Sequence, residues 1–298
     1  MLVQWRKFFN LNKNIKLARY AGFCHGVKRA VDTVKQIKNL NKNKNVWVLG
    51  ELIHNSSVID ELESLGIHTV SDLKNCEKGI CVVRSHGMPQ KDIENIENQG
   101  FEIVDLTCPD VKKVQNKAIE LAKQGYPLLI TGKGEHPEVI AIKANAQMYS
   151  DKVFVISETS ELDLISDVLK REKKAGVVVQ TTQKAELLSD IVSKLVLMVD
   201  ELKIFNTICK STALRQNAAK ELAKSSDLMI VIGGKNSANT THLFEILSNI
   251  TSAIHIETVK DLNEYTDLIK KSKNIGITAG ASTPESIIND IIVKLNEI

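Results

Sequence analysis

The sequence predicts an α/β protein made of three pseudo-threefold-related α/β units with mainly parallel sheets around a common centre. Three observations predict it. At 298 residues the chain exceeds one ordinary core and should divide. Short β-branched runs alternate with longer stretches of helical spacing, the pattern of parallel α/β units. One pattern also recurs three times: Cys24, Cys108 and Cys209 each open a helix-like stretch, GFCHGVKRAVDTV, LTCPDVKKVQNKAIELA and TICKSTALRQNAAKELA. A threefold internal repeat predicts that the three cysteines converge near a pseudo-threefold axis.

The elements follow in order. Residues 1–15, MLVQWRKFFNLNKNI, are basic and lack both an apolar core and a small-residue cleavage site, so they read as a short surface extension rather than a secretory signal. Strands are expected at VWVL (46–49), GICVVR (79–84), PLLIT (127–131), KVFVIS (152–157), GVVVQ (176–180), LMIVIGG (228–234), SAIHIE (252–257) and NIGITAG (274–280). These are mostly continuous apolar runs, which suits strands covered on both faces. Val27, Ala30, Val31 and Val34 show the three-and-four spacing of a helix, and another helix begins near Pro284, whose fixed φ suits a first turn. Boundaries fall near residues 108 and 206, giving units at 16–108, 109–206 and 207–298, each of ordinary domain size.

Composition narrows the class. Apolar content of 43% and charged content of 25% are those of a globular protein, and a net charge of +3 does not imply a nucleic-acid partner. No stretch approaches the ~20 apolar residues a membrane helix needs. Five widely separated cysteines without a disulfide framework point to a reducing cytoplasmic compartment. Cys76 and Cys81 lie outside the repeated positions and read as ordinary thiols.

Each cysteine is followed 28 to 30 residues on by a polar loop: GELIHN with His54, GKGEHPEV with His136, and GGKNSANT with Ser237, Ala238 and Asn239. Each loop follows an expected strand, and ligands of parallel sheets bind beyond the carboxyl ends of strands. A third element follows in each repeat: RSHG with His86, QTT with Thr181, and TAGASTPE with Ser282. Imidazoles, hydroxyls, an amide and helix-start N–H groups are the donors an anion such as a phosphate requires. Three thiols around one point suggest a metal centre with an unfilled position. Zinc is one possibility, although structural zinc sites use four ligands and close CxxC pairs. An iron–sulfur cluster, ordinarily held by four cysteines, is the other; with three, one iron would be open. One repeat alone carries a carboxylate beside its histidine, Glu138. It could donate a proton, oriented by His136 and close to the Thr181 hydroxyl, or could simply favour a helix N-terminus.

The motifs GFCHGVKRA, GELIHN, RSHGMP, DLTCPDVKKV, GEHPEV, QTT, TIC..T..RQ, GGKNSANT and TAGASTPE, in this order, resemble those of the 4-hydroxy-3-methylbut-2-enyl diphosphate reductases, the LytB/IspH family. The resemblance covers about residues 16 to 295. It implies an oxidoreductase of the last step of the non-mevalonate isoprenoid pathway, removing an allylic hydroxyl with two electrons and two protons to give isopentenyl and dimethylallyl diphosphates. It implies that Cys24, Cys108 and Cys209 ligate a central 4Fe-4S cluster with one iron not ligated by protein. Glu138 would deliver protons with His136 and Thr181. His54, His86, His136, Thr181, Ser237, Ala238, Asn239 and Ser282 would bind the substrate, Ala238 through its backbone N–H where the family often has serine. Reduced ferredoxin or flavodoxin is the implied electron donor. An iron–sulfur sensor and a zinc hydrolase are the competing classes; a sensor has little use for Glu138 and a many-membered anion pocket.

Overall fold

The computed structural model describes residues 6–9 and 13–298. Residues 1–5 and 10–12 of the expected extension lie outside the described residues. Three sheets organise the chain. One has the strand order 67–70, 45–49, 79–83, 102–105, and a second the order 153–156, 128–131, 174–179, 201–204; in both, every pair is parallel. The third runs 252–256, 228–232, 274–279, 14–17, all parallel, and then adds Arg6–Phe9 antiparallel to Asn14–Leu17.

The three sheets share one plan. Numbered from the helix that follows a cysteine, the first strand is central, the second flanks it on one side, and the third and fourth follow on the other. The fourth strand then leads to the next cysteine: 102–105 to Cys108 and 201–204 to Cys209. In the third sheet that fourth place is taken by Asn14–Leu17, which leads to Cys24. The last sheet is therefore completed by the start of the chain.

The eight expected strands all form. Several are buried on both faces, as in Leu228–Ile232, where every residue is buried, whereas Asn45–Leu49, Val153–Ile156 and Ser252–Ile256 are only partly buried. Burial of each such Leu or Ile contributes roughly 1.5–3 kcal/mol. Five further strands form at 6–9, 14–17, 67–70, 102–105 and 201–204. The helix His25–Leu40 buries Ala30, Val31 and Val34, the residues whose spacing marks it. Pro284 is the residue before its helix rather than inside it: its ψ of 151° is extended and the helix runs Glu285–Glu297.

Chain contacts group into two compact units. One holds Ile53–Glu61, Lys210–Ile298 and the described part of Met1–Lys28, with the third sheet; the other holds Arg29–Leu52 and Leu62–Cys209, with the first and second sheets. No helix among the described residues is long and apolar enough to cross a membrane.

Candidate active site

The three repeated cysteines occupy equivalent positions, each immediately before a helix: His25–Leu40, Pro109–Lys123 and Lys210–Ala223. Their backbone N–H groups are satisfied in the same way. Cys24 donates to the Ala281 carbonyl at 3.1 Å, Cys108 to Ser85 at 3.0 Å and Cys209 to Thr181 at 2.9 Å. The acceptors are the third polar elements of the repeat, beside Ser282, His86 and within QTT. None of the three forms a disulfide, and all are half-buried. The thiolate is the form of cysteine that binds metals. Cys24 Sγ accepts the Val27 N–H at 3.4 Å, and Cys209 Sγ lies 2.9 Å from Asp110 Oδ2. Cys81, by contrast, is buried in the core of the first sheet, where desolvation pushes its thiol up to about 11. Such a thiol is inert packing.

Two arginines, Arg29 half-buried and Arg215 buried, hold the segments that lead into the cysteines. In the larger unit Arg29 donates through Nη2 to the carbonyls of Leu106 (3.0 Å) and Thr107 (2.8 Å), just ahead of Cys108. In the other unit Arg215, almost wholly buried, donates through Nη1 to the carbonyls of Tyr20 and Ala279, the latter at 2.8 Å. Tyr20 has a left-handed φ of 66°, so this contact holds an otherwise unfavourable turn four residues before Cys24.

Glu138 sits in the second sheet's first polar loop. His136 caps the helix Pro137–Gln147, accepting the Glu138 N–H on Nδ1 at 3.2 Å, and Pro137 begins it with a preset φ. Because Nδ1 accepts, a neutral His136 carries its proton on Nε2. Its ring meets that of His86 edge-on, centroids 5.5 Å apart. Glu138 is 1% exposed. Thr181 holds both of its oxygens: the backbone N–H donates to Oε1 and the hydroxyl to Oε2, each at 2.7 Å. Desolvation raises the Glu138 pKa to about 7, against the lowering effect of the two Thr181 bonds; the charge of Asp110 adds to the rise. A carboxyl so placed changes protonation state near neutrality, as a proton donor must.

The third sheet's loop carries the corresponding positions with different chemistry. Ser237 precedes the helix Ala238–Ser248, and Asn239 stands where Glu138 stands in the second repeat. Ser237 and Asn239 are buried, and Asn239 Nδ2 has no hydrogen-bond partner. A buried amide donor left unpaired costs about 1–3 kcal/mol unless a ligand completes it. Ser282 Oγ donates to the His54 carbonyl at 3.0 Å, which brings the first and third polar elements together within this unit. Gly234 comes close to the same carbonyl: a Cβ there would lie 3.0 Å from it.

The sequence profile of the LytB protein family matches residues 15–296. The chain belongs to the LytB family. Among curated relatives, the 4-hydroxy-3-methylbut-2-enyl diphosphate reductase of Clostridium perfringens is 40% identical over 293 residues, 97% of this chain and all of the relative. A solved structure of (E)-4-hydroxy-3-methyl-but-2-enyl diphosphate reductase, the terminal enzyme of the non-mevalonate pathway, superposes with a TM-score of 0.71 at 37% identity, covering 95% of this chain and 99% of the other. The E-1-hydroxy-2-methyl-but-2-enyl-4-diphosphate reductase of Plasmodium falciparum superposes with a TM-score of 0.85 at 28% identity, covering 95% and 87%.

Within this LytB chain, sequence reasoning passed over Arg29, Arg215 and Asp110. Arg215 lies inside the TIC..T..RQ motif, so its position was visible but its task was not. Asp110 is the one acidic residue within two positions after any of the three cysteines, an asymmetry the repeat itself displays.

Proposed function

We propose that this chain carries out the reaction of its LytB relatives, the reductive removal of the allylic hydroxyl of 4-hydroxy-3-methylbut-2-enyl diphosphate. Two electrons and two protons enter, the C–O bond breaks, and water leaves with isopentenyl or dimethylallyl diphosphate as product. The observation that carries the residue assignment is Glu138: a fully buried carboxyl, doubly bonded to Thr181, with its pKa raised to about 7.

Cys24, Cys108 and Cys209 would hold a 4Fe-4S cluster, leaving one iron without a protein ligand. The donor set fits: three thiols outside any disulfide, each at a helix start, whose backbone N–H groups are already satisfied elsewhere. When bound, such a cluster supplies the electrons and a Lewis-acidic iron for the substrate hydroxyl. Glu138 holds a proton in a dry setting and releases it toward the reacting centre. The Thr181 hydroxyl, which can both accept and donate, relays and orients that proton. His136 sets the helix start on which Glu138 stands. The diphosphate is assigned to His54, His86, His136, Ser237, Asn239 and Ser282, with the Ala238 N–H at the helix start. The unpartnered Asn239 amide supports this, since an anion oxygen supplies the acceptor it lacks. Remote diphosphate binding positions the reacting carbon. Electrons come from an external one-electron carrier, a reduced ferredoxin or flavodoxin.

An anaerobic assay with a reduced artificial donor and hydroxymethylbutenyl diphosphate tests the reading. Iron- and sulfide-loaded protein should yield isoprenoid diphosphates, and Cys108→Ser should lose iron. Loaded protein without product would defeat the assignment.

A further inference from the structure

The loop Gly233–Asn239 is gripped from behind by residues that have no part in the site described above. His255, in the strand Ser252–Ile256, places Nε2 2.8 Å from the Gly233 carbonyl. A carbonyl only accepts, so Nε2 carries the proton and donates. The ring packs on Phe244 with centroids 5.6 Å apart, and burial lowers its pKa, which favours the neutral imidazole. Two residues on, Glu257 Oε1 accepts the Lys235 N–H at 2.5 Å, while the Glu257 N–H donates to Asp261 Oδ2 at 2.8 Å. The end of this strand thus fixes the Gly233 carbonyl and the Lys235 N–H together.

That grip falls on the loop's freest residue. Gly233 has φ +141°, and a Cβ there would lie 2.6 Å from Thr283 Oγ1 and 2.9 Å from Thr240 Oγ1. Only glycine fits, and glycine brings the largest conformational freedom to be removed. In a trans peptide the N–H points opposite to the C=O. Turning the Gly233 carbonyl toward His255 therefore turns the Gly234 N–H away from it. The Gly234 carbonyl, in the next peptide, accepts the Ser237 N–H at 3.0 Å, and Glu257 holds that same peptide's Lys235 N–H, so the setting of these two adjacent peptides passes to the helix start at Ala238. In the other two sheets the strand position in the same register holds Thr69 and Val155, and neither has an imidazole's reach.

We propose that His255 is a positioning residue: by holding the Gly233–Gly234 peptide it presets the loop Gly233–Asn239 for the substrate diphosphate. This rests on the assignment of Ser237, Ala238 and Asn239 to the diphosphate. Preorganisation acts on binding rather than on the chemical step.

The test uses anaerobically prepared, cluster-loaded enzyme, with steady-state kinetics on hydroxymethylbutenyl diphosphate and calorimetric titration with inorganic pyrophosphate. His255→Leu should raise KM and the pyrophosphate Kd about tenfold, with kcat within about twofold of the parent. His255→Gln, whose amide N–H can still reach the carbonyl, should recover most of the loss. Unchanged KM and Kd in His255→Leu overturn the proposal, as does an equal loss in the Leu and Gln variants. Should His255→Leu not accumulate as folded protein, His255→Asn, a shorter amide that falls short of Gly233, takes its place with the same expectation. Asn239→Ala separates the two levels. Weakened pyrophosphate binding there, with none in His255→Leu, defeats the role of His255 alone. Unchanged binding in both variants defeats the diphosphate assignment of the loop.

Discussion

Thr181 donates to both oxygens of Glu138, through its backbone N–H and its hydroxyl, at 2.7 Å each. One residue therefore fixes the carboxyl's plane and counters part of the desolvation that raises its pKa. The same Thr181 accepts the Cys209 N–H on its carbonyl at 2.9 Å. Acid and proposed metal ligand are thus registered to each other through a single residue.

Glu138→Gln should keep iron content and pyrophosphate affinity while kcat falls about 10²–10⁴-fold, the usual contribution of a positioned acid. The fold should tolerate it, because the Thr181 N–H keeps its acceptor and the Thr181 hydroxyl can reverse to accept from the amide. The pH dependence of stability gives a second readout. The folded pKa of about 7 lies above the ordinary 4.5, so the native state holds this proton more tightly than the unfolded chain. Its contribution is therefore lost as pH rises from about 4.5 to about 7, at up to ~1.4 kcal/mol per pH unit. Glu138→Gln should flatten the melting temperature across that window. Wild-type turnover in this variant would remove Glu138 from the proton route.

Thr181→Val removes the hydroxyl donor and keeps the backbone donor. The lost bond is one that lowers the Glu138 pKa, so the pKa should rise further. Activity that needs the protonated acid declines as pH rises through that pKa. The alkaline limb of the kcat profile should consequently move to higher pH in Thr181→Val, with a lower plateau. A limb that stays in place would show that Glu138 does not set it.

The eight expected strands were legible as apolar runs, most complete in central strands buried on both faces such as 228–232, although 153–156 and 252–256 lie at sheet edges and are only partly buried. The five that were not are short, and several are half-exposed: 102–105 and 201–204 bury neither of their ends, and 67–70 buries only Ile67. Their pairing comes from the sheet beside them rather than from their own composition. For the site, recurrence at matched offsets pointed to the cysteines and polar loops, since repetition survives in sequence. The burial of Glu138 did not show, because an acid in a helix's first turn looks the same whether solvated or enclosed. Nor did the bonds from each cysteine N–H to Ser85, Thr181 or Ala281, which join residues 23 to 257 positions apart. Arg215 and His255 act once each, with no repeat to mark them.

Arg215→Met should loosen the turn before Cys24. The substitution leaves the Tyr20 and Ala279 carbonyls without this donor, at about 1–3 kcal/mol for the buried Ala279 acceptor if it is left unsatisfied and less for the exposed Tyr20. The left-handed Tyr20 would also lose the contact that holds it. Amide exchange over residues 18–24 should accelerate, and iron retention during aerobic handling should fall relative to the parent. Arg215→Lys should recover only part, because one ammonium lacks the planar fork. Unchanged exchange over residues 18–24 in Arg215→Met would show that the turn is held by other means.

Gly280 is pressed against Thr240. A Cβ at Gly280 would lie 2.0 Å from Thr240 Oγ1 and 3.2 Å from its Cβ, while the Gly280 N–H already donates to the Ile232 carbonyl at 2.8 Å. Neither side can move freely: Thr240 is fully buried, and Gly280 directly follows the central strand Asn274–Ala279, two residues before Ser282. Gly280→Ala should therefore destabilise by about 1–3 kcal/mol through overpacking. At about 2–4 °C per kcal/mol, the melting temperature should fall by several degrees. The Thr240 hydroxyl has no hydrogen-bond partner, so deleting it forfeits little polar stabilisation. Thr240→Ala should be mild alone and should restore most of the stability lost in Gly280→Ala, giving a coupling of about 1 kcal/mol or more in the double-mutant cycle. Strictly additive losses would mean that Gly280 is required for its backbone and not for the space that Thr240 occupies.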